Sequence, residues 1–156
     1  MEDITLVEII DYARINEDNA RQFYLGAAEH ARNDSVKAFL LSLANEEQRH
    51  IDHLNDLDKI IEAGKPLPKP HGIVKPLGYE DYLGKITLDE TADYQEVLKA
   101  AMAREKEAMD SYLRYSNLVD DQKAKDLFLL LAAEESRHLR DFEEKYDDFM
   151  KEIENW

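Results

Sequence analysis

The sequence predicts an all-α protein, a four-helix bundle with a long crossover between its second and third helices. Three observations lead there. Apolar residues recur at helical spacing through two long stretches. All four prolines and four of the five glycines lie between residues 64 and 84, so the rest of the chain is nearly free of helix breakers. The two stretches are also copies of one another at a fixed offset, which marks a duplicated helical hairpin.

The first hairpin is expected over residues 5–63. Leu6, Ile9, Ile10, Ala13, Ala20, Tyr24, Ala27, Ala28 and Ala31 form one face of a helix over 5–32, opened by a Thr5-x-x-Glu8 capping box. Asn33-Asp34-Ser35 supplies a turn and a new N-cap. The second helix carries Val36, Phe39, Leu40, Leu43, Leu54, Leu57 and Ile61 inward, and Gly64-Lys65-Pro66 stops it. Residues 64–90 form the connection, with a short helical turn expected near Tyr79–Leu83.

The second hairpin spans 93–152, so that residues 1–156 make one domain. Asp93 and Glu96 repeat the capping pattern, the third helix runs to about 119, and Asp120-Asp121 separates it from the fourth. Moving residues 5–61 by 88 positions lays them on 93–149 without a gap. Glu8 then falls on Glu96, Glu17 on Glu105, Tyr24 on Tyr112, Glu46-Glu47 on Glu134-Glu135 and Arg49-His50 on Arg137-His138. Shared leucines and alanines would need only two core faces; shared Glu, Tyr and His need common ancestry of the halves. The duplication is expected to start the third helix at the same end as the first. The 64–90 segment is expected to cross the length of the bundle.

Composition narrows the function. A formal charge of −15 repels nucleic acid and anionic membrane faces. The chain has no cysteine, which excludes disulfides, thiolate zinc sites and cysteine-ligated iron centres within it. No apolar run is long enough to span a bilayer. The acidic start Met1-Glu2-Asp3 lacks a signal-peptide charge pattern, so the cytoplasm is the expected location.

The chemistry lies in six residues. Glu47 and His50, three apart, share one helix face with Leu43 and Leu54 and therefore point to the core. Glu135 and His138 do the same beside Leu131 and Phe142. Glu17 is in phase with Ile10, Ala13, Ala20 and Tyr24, and Glu105 with Leu98, Ala101, Ala108 and Tyr112. One such glutamate is ordinarily solvated, and one Glu-x-x-His pair alone favours a structural core histidine. Four carboxylates aimed at one interior are different, because each would cost several kcal/mol or have to protonate. Two divalent cations would balance them, and oxygen-rich sites with one imidazole per metal suit iron or manganese. Two lone glutamates plus two Glu-x-x-His pairs is the ligand pattern of di-iron and di-manganese helical bundles. The ions are expected about 3.5–4 Å apart, with Glu17, Glu47 and His50 on one, Glu105, Glu135 and His138 on the other, and one carboxylate of each Glu-x-x-His pair bridging.

The segments Glu17-Asp-Asn-Ala-Arg-Gln-Phe-Tyr24 and Glu105-Lys-Glu-Ala-Met-Asp-Ser-Tyr112 resemble the ligand segments of rubrerythrins. Glu46-Glu47-Gln-Arg-His50 and Glu134-Glu135-Ser-Arg-His138 resemble their Glu-x-x-His helices. The resemblance covers all four helices and implies a ferritin-like bundle. It further implies a redox enzyme reducing peroxide or oxygen at a di-iron centre with electrons from an external donor such as rubredoxin, and a homodimer. The chain departs from the family at three points. It has no cysteine-ligated rubredoxin module; Ala108 stands where many rubrerythrins carry a further glutamate; and Gln48 stands where bacterioferritins have a haem-binding methionine, so no haem is expected. Tyr24 and Tyr112, two turns from Glu17 and Glu105, are candidates to hydrogen-bond a ligand carboxylate across the bundle or to pack as core aromatics. Glu46 and Glu134 are candidates to orient the opposite histidine or to pair with Arg49 and Arg137. Two other functions fit the same residues, an iron-handling ferroxidase and a metal-dependent sensor without catalysis.

Overall fold

A computed structural model describes residues 5–68 and 93–154. They form four helices: α1 (Leu6–His30), α2 (Asp34–Glu62), α3 (Tyr94–Leu118) and α4 (Gln122–Glu154). The turn expected near 79–83 and most of the 64–90 connection lie outside the described residues.

Local signals in the sequence set the helix ends. The Thr5 hydroxyl accepts the Glu8 amide at 3.1 Å, and the Thr5 amide donates to the Glu8 carboxylate at 2.8 Å, completing the capping box. Asn33 caps α2 through the amides of Ser35 and Val36, and Asp93 caps α3 through Glu96. Asp121 accepts the Ala124 amide at the start of α4. Gly64 ends α2 with φ of 68°. Its amide donates to Ile61, and Lys65 donates to Ile60, the paired bonds of a Schellman cap. A Cβ at Gly64 would meet no neighbour, so the backbone conformation alone penalises substitution. Gly64→Ala should therefore lower stability by about 1 kcal/mol, measured by urea denaturation.

Two apolar clusters fill the bundle on either side of the six candidate ligands. One joins Tyr24 and Ala28 near the end of α1 to Val36 and Leu40 near the start of α2, Val97 and Leu98 near the start of α3, and Leu139 and Phe142 of α4. The other joins Ile9 and Ile10 at the start of α1 to Leu54 and Leu57 of α2, Val119 after α3, and Leu127 and Phe128 of α4. These memberships fix the chain directions. α3 begins at the end of the bundle where α1 finishes, not where α1 begins, and the expectation of a common starting end is corrected. The pseudo-twofold axis relating the hairpins lies across the bundle and so reverses the second copy. α2 and α3 are consequently parallel, and the end of α2 is a helix length from the start of α3, roughly 40 Å at 1.5 Å per residue. A long crossover is what this topology requires.

Candidate metal centre

Halfway along each helix the apolar face is interrupted by one carboxylate. Glu17, Glu47, Glu105 and Glu135 are all buried, at 8% exposure or less. Helical phase puts them there: each lies one or two turns from apolar residues that must face the core. The His50 and His138 rings stack in parallel with centroids 3.8 Å apart. The His50 Nδ1 is 3.2 Å from both the Glu17 and Glu47 carboxylates. The His138 Nδ1 lies 3.5 Å from Glu135 and 3.7 Å from Glu105, beyond good hydrogen-bonding distance. All six residues singled out in the sequence thus meet at one place. Glu17, Glu47 and His50 form one compact trio, as expected, whereas the second compact trio is His50, Glu135 and His138, because the histidines stack across the axis. Glu105 flanks that trio through its approach to His138.

The electrostatics follow from burial. Desolvation raises Glu47 to about 7, with the neighbouring Glu17 adding to the effect. It raises Glu105 to about 8 and, with the Glu105 charge, Glu135 to about 7. Glu17 is raised by burial and by the charge of Glu135. For His50, burial acts downward, but hydrogen bonds and charge from Glu17 and Glu47 outweigh it and lift the imidazole to about 11. The cluster therefore retains protons that the same groups would release in water. No lysine or arginine is ion-paired with any of the four carboxylates among the described residues. The Glu105 Oε2 and His138 Nδ1 atoms are buried without a hydrogen-bond partner. Retained protons and unpartnered donor atoms aimed at a common point are what a cation-binding site shows without its cation. Carboxylate oxygens with two imidazole nitrogens form a hard, mixed donor set. The residues fit a two-metal carboxylate centre.

The surroundings divide into two sides. All four carboxylates line a cavity of about 280 Å3, walled also by Asn16, Ala20, Arg104, Ala108 and Tyr112. The histidines instead line a separate cleft with His53, Glu134, Arg137 and Asp141. Tyr24 feels the charges of Glu105 and Glu47, and Tyr112 those of Glu135 and Glu17. Burial followed by these carboxylates holds both phenols well above their ordinary range, so both stay neutral. The hydrogen bond considered for Tyr24 is absent: its hydroxyl is buried without a partner. Tyr112 has the Asn16 side chain as its polar neighbour. Glu46 pairs with Arg49, three residues along its own helix. Glu134 does not pair with Arg137 but lies 2.7 Å from His53 on α2. His53 was missed in the sequence because its counterpart 88 residues on is Asp141, so the duplication gave no signal there.

A family model described as Rubrerythrin matches residues 8–146, which takes in all six residues. The chain belongs to the rubrerythrin family. Searches among curated proteins and solved structures each returned no match. Among the described residues, this rubrerythrin-family chain has no helix long and apolar enough to cross a membrane.

Proposed function

We propose that this rubrerythrin-family protein is a di-iron oxidoreductase that reduces hydrogen peroxide, or oxygen, with electrons from a separate donor protein such as rubredoxin. The observation that carries this reading is the gathering of four buried carboxylates, which line a cavity on one side, with two histidines, which line a cleft on the other, and with no lysine or arginine paired to the carboxylates among the described residues. Glu17, Glu47 and His50 would hold one ion, and Glu105, Glu135 and His138 the other. Two iron ions, when bound, would supply the two electrons that peroxide needs, with two protons, to become two waters.

The chain's own residues do the rest. The cavity would admit a small oxidant from the carboxylate side, while the stacked histidine rings line the cleft on the opposite side. Tyr112 reaches the same cavity with a hydroxyl that stays protonated and can donate a hydrogen bond. No cysteine is present to carry an iron centre within this chain, so electrons have to come from outside it. Manganese is the alternative metal by donor type. A cytoplasmic homodimer is the assembly we expect.

The test is turnover of hydrogen peroxide by anaerobically iron-loaded protein with reduced rubredoxin, followed by the donor's absorbance. Oxidation of about two donors per peroxide, as the two-electron, two-ion reading requires, is the expected result. Iron oxidised once, without donor-linked turnover, would move the protein to the ferroxidase reading. Retained metal with no redox change would mean a structural or sensory role.

A further inference from the structure

The duplication is broken beside the ligands. Asn16, which precedes Glu17, corresponds at the offset of 88 residues to Arg104, which precedes Glu105. Both side chains line the carboxylate-side cavity. The Arg104 guanidinium lies 4.6 Å from the Phe23 ring centroid and 5.9 Å from that of Tyr24. It forms no ion pair among the described residues, and its Nε is buried without a hydrogen-bond partner. Glu107, one turn on, also lines the cavity but is exposed and does not pair with it. An arginine beside four carboxylates in a chain of net charge −15 would ordinarily find an acidic partner. Here it stacks on aromatic faces, which leaves the donors of its planar fork available to a ligand.

The space is larger than the proposed oxidant requires. About 10–15 Å3 of such space holds one water, so a cavity of about 280 Å3 far exceeds what peroxide, with two heavy atoms, requires. Ala20 and Ala108, related by the duplication, give an otherwise polar lining two small apolar patches. On the di-metal reading above, in which a pair of divalent ions neutralises the four carboxylates, Arg104 remains as the one cationic side chain of the lining among the described residues, with the exposed Glu107 at its rim.

We propose that this cavity is a binding site for a small organic acid, whose carboxylate is held by the Arg104 fork and whose body lies along Ala20 and Ala108 toward the buried glutamates. The fork matches a planar carboxylate with two parallel hydrogen bonds. The two alanine patches give the carbon body of an organic acid a surface that a bare inorganic anion would not use.

Benzoate is the probe, with benzamide as its neutral isostere and inorganic phosphate as the competing anion. Each is titrated calorimetrically into manganese-loaded and metal-free protein, with metal content and melting temperature recorded for every sample. Benzoate should bind wild type, and benzamide and phosphate should bind far more weakly. Arg104→Gln should weaken benzoate by about tenfold or more while keeping the wild-type metal content. Arg104→Lys should recover only part of the affinity, and Ala108→Leu should block benzoate by filling the cavity. Absence of benzoate binding in wild type, equal binding in Arg104→Gln, or undiminished binding in Ala108→Leu would overturn the proposal, as would phosphate binding at least as tightly as benzoate. The metal count judges the di-metal reading separately: a wild type that takes up no manganese would sink that reading, whereas one that takes up manganese and binds no benzoate would sink this proposal alone.

Discussion

Metal-free protein should lose stability steadily as pH rises from about 5 to about 8, and metal-loaded protein should gain it over the same range. The sign follows from the four buried glutamates of the cluster. Their ordinary value is 4.5, and in the folded chain Glu47 and Glu135 stand at about 7, Glu105 at about 8, and Glu17 is raised as well. Between those limits the folded state holds more protons than the unfolded state, so each rise in pH favours unfolding. His50, lifted from 6.5 to about 11 by Glu17 and Glu47, acts in the same direction across its own window. Below pH 4.5 these glutamates are protonated in both states and their contribution no longer changes. Metal reverses the slope because the deprotonated ligands are the ones that bind. Metal at a thousandfold excess over its Kd stabilises by about 4 kcal/mol per site. For a chain of this size that corresponds to roughly 10 °C. Thermal melts of both forms across this range check it; superposed curves would contradict the expected divergence.

Glu105→Gln should move the two forms in opposite directions. The substitution keeps the shape and removes the charge from a group that is buried, raised to about 8, and has an Oε2 without a hydrogen-bond partner. Near pH 8 the metal-free variant should therefore melt above metal-free wild type. Its metal affinity should fall by more than the about 10–100-fold typical of losing a supporting partner behind a ligand, and its peroxide turnover should fall with it. A variant that loses stability in both forms would show that Glu105 serves the fold rather than a cation. Calorimetry on metal-free and loaded samples, with metal titrations, reads both effects.

Much of this was legible in the sequence because the relevant physics is local. Thr5, Asn33, Gly64 and Asp93 each act within a few residues, so the helix ends fell within about two residues of expectation. The six candidate ligands stood out because helical phase ties each to apolar neighbours and the duplication repeats the set. Features that depend on how the hairpins meet were not legible. The direction of α3 depends on whether the pseudo-twofold axis runs along or across the bundle, and an offset in sequence is the same in either case. The pairing of Glu134 with His53 joins two hairpins at a position where the copies differ. Tyr24 lacks a hydroxyl partner where Tyr112 has Asn16, because the residue equivalent to Asn16 is Arg104. The cavity between these side chains arises from the spacing of α1 and α3, which no short motif encodes.

The measurement that bears most directly on the central claim is anomalous diffraction at the iron and manganese edges, on crystals of protein purified without added metal or chelator. Two peaks within the cluster are expected, with Glu17, Glu47 and His50 serving mainly one, and Glu105, Glu135 and His138 mainly the other. Glu47 and Glu135 should lie between them. A single ion, or a loaded structure in which any of the six side chains turns to solvent, would contradict the account.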